Sequence, residues 1–230
     1  MNKMQKSGVP WADYRWNPME GCSPVSAGCK NCYAANMARR FHRHWGSPLF
    51  HPEKLGEPEA TKEPGRVFVC STSDLFHERA EVSGVLAVLK AMHRAPWHTY
   101  ILCTKRPHLM QKVFALRAAP ANWWLLTTIE TQADADLRVP ILQNTNAVVR
   151  GVSCEPLLEE IDLQYSAFNG ADDLWKLQDI NWVIAGPETG SGKRYCDSNW
   201  ITMLSLQAKK AGVPFFDKSE SYIRREFPKV

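Results

Sequence analysis

Mostly apolar runs recur along the chain at 66–70, 99–103, 123–129, 147–153, 182–185 and 214–216. Each is too short for a helix and lacks the strict alternation of a strand with one wet face. Each therefore reads as a strand buried on both sides. A stretch at 10–17, with Trp11, Tyr14 and Trp16, alternates enough to be a short first strand. Segments with helix-forming composition lie between these runs, at 34–45, 82–93, 107–117, from Thr131 to 143 and at 200–211. Pro107 opens one of them, where its fixed φ and missing N–H suit a first turn. Alternating strands and helices with continuously apolar strands predict a parallel sheet covered by helices. Seven strands of this kind predict an α/β fold, a partial (β/α)6-7 TIM-like barrel with parallel strands, in a single domain over 1–230. A flat doubly wound sheet is the rival. It would want a glycine-rich phosphate loop after the first strand, and a cysteine loop stands there instead. Residues 46–66 are rich in Pro, Gly and charge and read as a long surface excursion or lid. Residues 157–179 are less regular.

The loop at 17–33 changes the picture from fold to chemistry. It carries Cys22, Cys29 and Cys32 in the spacing C-x6-C-x2-C, and its filler is turn-forming: Asn17-Pro18, Glu20-Gly21, Ser23-Pro24 and Ala27-Gly28. Such a loop can wrap around a small object and aim thiolates inward, and thiolates suit zinc or an iron–sulfur cluster. A closed structural metal site takes four protein ligands, and this loop offers three. Either a distant residue completes the set, or the fourth position stays open for chemistry. The remaining cysteines, Cys70, Cys103, Cys154 and Cys196, form no second C-x2-C pair. The first three of these end strands, where small buried thiols are common, so they read as core.

Composition adds bounds. The chain has 230 residues, 44% of them hydrophobic, enough for one sizeable core. The formal net charge of +4 permits an anionic partner without demanding one. Seven cysteines without an apolar leader or a membrane-length run read as thiols in a reducing cytoplasm. The bases Arg39, Arg40, His42, Arg43 and His44 suit the end of a helix and a solvated face; the sharper reading is an anion-binding patch beside the cysteine loop.

In a barrel of this class the chemistry collects at the C-terminal ends of the strands. Here those ends deliver Ser73 and Asp74, Lys105 and Arg106, Glu130, Glu155, Glu188, and Lys218. Singly, each has an ordinary explanation, such as Asp74 capping a helix or Glu130 favouring a helix N-terminus. Together, and on the same rim as three cysteines, they predict a ligand pocket.

These residues resemble a known family. Trp16-Asn17-Pro18 leading into Gly21-Cys22, Gly28-Cys29 and Cys32-Tyr33-Ala34 looks like the phage-associated radical-SAM-like family. The likeness continues through Ser73-Asp74-Leu75-Phe76-His77, Thr104-Lys105-Arg106-Pro107, Glu155-Pro156-Leu157-Leu158, residues 182–190, and Ala211-Gly212-Val213-Pro214-Phe215-Phe216. The resemblance implies a [4Fe-4S] cluster on Cys22, Cys29 and Cys32, with S-adenosyl-L-methionine on the open iron. It makes Ser73, Asp74, Glu130 and Glu155 candidates for the cofactor. Lys105, Glu188 and Lys218 become candidate catalytic groups and Arg106 a candidate substrate-binding group. It also implies an external electron donor of flavodoxin or ferredoxin type, a nucleotide or DNA substrate such as a hypermodified thymidine, and a phage-encoded protein in the host cytoplasm. The chain departs from the commonest radical-SAM pattern in its first gap, six residues instead of three. It also has Ser71-Thr72-Ser73-Asp74 where Gly-Gly-Glu is usual, Gly186-Pro187-Glu188-Thr189-Gly190 where relatives carry Gly-Gly-Glu-Ser-Gly, and Lys218-Ser219-Glu220-Ser221 where they carry Lys-Gln-Trp-Gly. A rival from another class is a zinc-stabilised, non-catalytic nucleic-acid-binding module, with His42 or His77 as fourth ligand.

Overall fold

All seven expected strands form, and they lie in one sheet. The computed structural model describes residues 2–164, 176–190, 192–219 and 223–229. The strands are β1 Gln5–Lys6, β2 Tyr14–Trp16, β3 Met19–Glu20, β4 Leu49–Phe50, β5 Arg66–Val69, β6 Thr99–Thr104, β7 Trp123–Thr128, β8 Val149–Cys154, β9 Trp182–Ala185 and β10 Phe215–Asp217. The helices are α1 Tyr33–Arg40, α2 Glu57–Ala60, α3 Val82–Arg94, α4 Pro107–Val113, α5 Gln132–Gln143 and α6 Ser198–Lys210. The main sheet runs β1-β2-β5-β6-β7-β8-β9-β10. Every pairing from β2 onward is parallel, and the two-residue β1 adds an antiparallel edge.

The central strands are mostly apolar because both faces are covered, as in β7, where all six residues are buried. In β7, Trp123 and Leu125 join the large core under the helices, whereas Trp124 and Leu126 belong to a smaller cluster inside the barrel. Ile101, Val149, Trp182, Ile184 and Phe216 share that interior. Trp182, with no exposed surface, stands edge-on to Trp124 at 5.5 Å and to Trp11 at 6.2 Å between ring centroids. The base of the barrel is thus an aromatic plug.

The sheet does not close by a hydrogen-bonded ladder, because neighbouring strands are chained only from β1 to β10. Residues after β10 double back along it: Asp217 donates its N–H to Arg224 at 2.7 Å, and Glu226 donates to Phe215 at 2.9 Å. Phe227 then packs on Trp182, and the Arg66 guanidinium of β5 lies 3.8 Å from the Phe227 ring centroid. Side chains therefore bridge the two edges at the base.

Two expectations need correction. The helix expected over 34–45 stops at Arg40, because His42 adopts φ 51° and turns the chain. The helix expected to 117 stops at Val113. Residues 46–66, expected as a long surface excursion or lid, hold β4, a 3-10 turn at Pro52–Lys54 and α2. This excursion is pinned to the barrel. Trp16 donates Nε1–H to the Lys54 carbonyl at 2.9 Å, and His98 Nε2 lies 3.0 Å from the Thr61 carbonyl. Most of the irregular 157–179 stretch lies outside the described residues. No helix among the described residues is long and apolar enough to cross a membrane.

Candidate functional site

The parallel strands end at one rim, and the inward-facing positions there line a single cavity of about 240 Å³. Cys103 of β6, Thr128 of β7, Ser153 of β8 and Lys218 after β10 form one side. Trp11 and Phe68 form its apolar floor, continuous with the aromatic plug. Cys22, Cys29 and Cys32 form the opposite wall, and none of them is in a disulfide.

Local geometry shapes the cysteine loop. Gly21 has φ 88°, and a Cβ there would fall 2.2 Å from the Ser47 carbonyl oxygen, so only glycine fits the turn before Cys22. Cys29 sits in a short 3-10 turn, Ala27–Asn31, and Cys32 precedes α1. At Gly28 a Cβ would lie 2.4 Å from the Glu130 carboxylate, and its absence lets the backbone N–H donate to that carboxylate at 2.7 Å.

Two ion-pair clamps hold this loop to the strand ends. The first centres on Glu130, which has no exposed surface. It accepts hydrogen bonds from Gly28 N–H, from Ser26 Oγ at 2.9 Å and from the Lys105 ammonium. Lys105 also stands 3.7 Å from Cys29 Sγ. Burial pushes the Cys29 thiol up, but Lys105 and the Ser26 hydroxyl outweigh it and hold that thiol below its ordinary value. The second clamp centres on Arg106, only 3% exposed. It pairs with Asp74 at 3.1 Å and with Glu78, donates to the Ser23 carbonyl at 3.1 Å, and lies 3.8 Å from Cys22 Sγ. Burial together with the Asp74 charge pushes the Cys22 thiol up to about 11, against the opposing pull of Arg106.

The structure brings the expected site residues to one rim and sorts them. Glu130 does not line the cavity; it is spent on the loop. Asp74 reaches the wall, yet its carboxylate is filled by Thr104 Oγ1 at 2.7 Å, Phe76 N–H at 3.0 Å and Arg106. It caps no helix, since α3 starts only at Val82. Arg106, expected to meet substrate, lines the cavity and is paired there with two carboxylates. Ser73 lines the cavity and donates Oγ–H to the Gly21 carbonyl at 2.6 Å. Glu155 accepts from Trp11 Nε1 at 3.1 Å and pairs with Lys218 at 2.7 Å; both carboxylate and ammonium face the cavity. Glu188 is held by Arg194 Nε at 2.9 Å and by Asn31 Nδ2 at 3.0 Å, and the Arg194 hydrogen bonds bring its carboxyl down to about 2. None of residues 46–66 lines the cavity. Cys70 and Cys103 belong to the core, as read from sequence, and also reach the cavity wall, and burial pushes each thiol up to about 12.

Several groups escape a reading of sequence alone. Glu78 and Ser26 complete the clamps, and Thr72 lines the cavity with a buried hydroxyl oxygen that has no hydrogen-bond partner. Ser26 carried a signal, since it lies inside the cysteine loop; Glu78 carried none, since it falls in an aperiodic turn. The histidines weighed as a fourth ligand are elsewhere engaged or remote. His77 Nε2 is 2.7 Å from Ser23 Oγ and its Nδ1 accepts Arg79 N–H at 3.0 Å, while His42 is exposed beyond α1. Among the described residues no three Cys, His, Asp or Glu side chains converge as ligands of one ion do. Three separated thiols on one wall, two flanking cations and an unpartnered hydroxyl suit a larger body that takes its ligands at different corners.

The sequence matches the model of the DUF5131 family, described as a protein of unknown function, over residues 6–227. The chain belongs to the DUF5131 family. No curated protein matches it. Among solved structures this DUF5131 chain is similar to a singly substituted spore photoproduct lyase, with TM-score 0.58 and 12% identity over 95% of this chain and 79% of the other. A complex of that lyase with dinucleoside spore photoproduct gives 0.54 and 11% over 94% and 79%. A doubly substituted variant with bound AdoMet and dinucleoside spore photoproduct gives 0.51 and 12% over 90% and 64%. At such identities the likeness is one of fold, and it agrees with the partial barrel.

Proposed function

We propose that this DUF5131 chain is a radical S-adenosylmethionine enzyme acting on a nucleotide or on a modified base of nucleic acid. The observation that carries the reading is the placement of Cys22, Cys29 and Cys32: free thiols, from one loop, on the wall of a cavity at the C-terminal mouth of a parallel barrel. Those three would hold a [4Fe-4S] cluster by three corners. When bound, the cluster and S-adenosylmethionine would supply one-electron radical chemistry. The protein's own part is binding, orientation and exclusion of water. Glu130 and Arg106 fix the loop. Ser73, the Thr72 hydroxyl and Glu155 offer polar groups for the cofactor, and Trp11 and Phe68 keep the floor dry. Lys218 and Glu188 stand where a substrate would meet charge. The fold's likeness to a lyase solved with a dinucleoside supports a nucleic-acid substrate. In its most specific form the substrate is a hypermodified thymidine of phage DNA, with a flavodoxin or ferredoxin as electron donor.

Anaerobic reconstitution with iron and sulfide tests this. The expected outcome is uptake of about four irons per chain, an iron–sulfur charge-transfer band, and 5′-deoxyadenosine on adding S-adenosylmethionine and reductant. Cys22→Ala, Cys29→Ala and Cys32→Ala should each lose the band. Protein purified without oxygen that holds one tightly bound zinc and takes up no iron would instead favour the zinc-stabilised module.

A further inference from the structure

The last residues of α1 and those that follow it are basic and lead to the cavity wall at Trp45. Residues 39–44, Arg-Arg-Phe-His-Arg-His, are all exposed. Phe41 is 55% exposed, and two guanidiniums flank its ring, Arg40 at 5.5 Å and Arg43 at 5.6 Å from the centroid. The backbone holds the arrangement: Arg43 N–H bonds to the Ala38 carbonyl at 2.8 Å and His42 N–H to Arg39 at 3.4 Å, the two bonds of a Schellman cap. The left-handed residue of such a cap is ordinarily glycine, yet here it is His42, at φ 51°. A side chain is thus retained where bare backbone would be less strained.

Charge completes the surface. Among the described residues Arg39 reaches the Asn36 side-chain oxygen, at 3.1 Å. Arg40 and Arg43 form no ion pair among the described residues. The acid felt by Arg43 is Glu20, which already pairs with Lys54 at 3.0 Å. The segment runs directly into the site: Trp45 lines the cavity, and Arg43 is two residues away, within about 7 Å along the chain.

We infer that residues 39–44 form a docking surface for a single strand of nucleic acid, with the arginines on its phosphates and Phe41 under a base, beside the entrance at Trp45. An acidic protein would answer the positive charge alone. A strand answers both the charge and the flanked aromatic ring, since every base offers a stacking face and every linkage a phosphate. This rests on the reading that the substrate is a piece of nucleic acid and specifies it as a polymer held outside the cavity, not a free nucleoside.

The test uses the full chain loaded with iron and sulfide, and a fluorescein-labelled single-stranded DNA 15-mer of mixed sequence, read by anisotropy. Three phosphate contacts predict a slope of log K against log salt of about −2. Phe41→Ala should weaken binding at least about fivefold, and Phe41→Trp should preserve it. Arg40→Glu with Arg43→Glu should weaken it further, while Arg40→Lys with Arg43→Lys keeps the slope. The iron–sulfur band should be unchanged in all four variants. Binding that ignores these substitutions overturns the inference. So does a result in which they leave binding intact but slow reduction of the cluster by a reduced flavodoxin and not by dithionite, which would make the surface a seat for an acidic electron carrier. A chain that takes up no iron yet binds the 15-mer through these residues removes the enzyme reading and supports this surface on its own.

Discussion

Glu130 joins strand β7 to the cysteine loop across 102 residues of sequence, through Gly28, and across 104 through Ser26. Removing its carboxylate leaves the Lys105 ammonium without its partner and the Gly28 N–H without an acceptor. Glu130→Ala should therefore destabilise the chain by about 3 kcal/mol, the lower end for a broken buried pair because Lys105 keeps some solvent. Denaturant unfolding measures the loss, and faster exchange of the Gly28 amide locates it. Glu130→Gln keeps one acceptor and should cost less. The sequence made Glu130 legible as a strand-end acid but not its task, since strand phase places a residue at the rim without naming its neighbours. Arg106 shows the same limit. Its position marks it for the mouth, and it does reach the cavity wall, but only the fold brings Asp74 and Glu78 around it.

Elements were more legible than roles. Six strands announce themselves because burial on both faces leaves few polar positions to interrupt the apolar run, and β2 because Tyr14 and Trp16 alternate with an exposed Arg15. Helix ends were less legible: 39–44 has the composition of a continuing helix, and only the backbone of His42 ends it. The small elements of 46–66 lie below the length at which periodicity speaks. Within the elements, Trp182 of β9 concentrates the barrel's interior contacts, meeting Trp11, Trp124, Phe216 and Phe227. Trp182→Ala should cost about 3–5 kcal/mol, lowering the melting temperature by roughly 6–20 °C for a chain of this size. Differential scanning calorimetry is the direct measurement. A loss near zero would mean that the plug does not support the sheet.

At the scale of the molecule, acid should act first where a buried carboxylate is held ionised. Glu188 is depressed from 4.5 to about 2 through Arg194. A depressed acid contributes stability that is complete above its unfolded value and is lost as pH falls through the folded one. Stability should therefore decline between about pH 4.5 and 2, and Glu188→Gln should flatten that part of the profile in urea titrations run at stepped pH.

The bridging of the sheet's two edges by Trp11, Arg66, Trp182 and Phe227 has a mechanical consequence. A closed ladder would fix the circumference of the ring by backbone hydrogen bonds, and widening it would break them. Here the seam is sewn with rings and a guanidinium, which can slide by fractions of an ångström while every amide keeps its partner. The aperture above can then adjust to a bulky guest at the expense of side-chain contact alone, a compliance located beside β10, the edge strand that leads into Lys218.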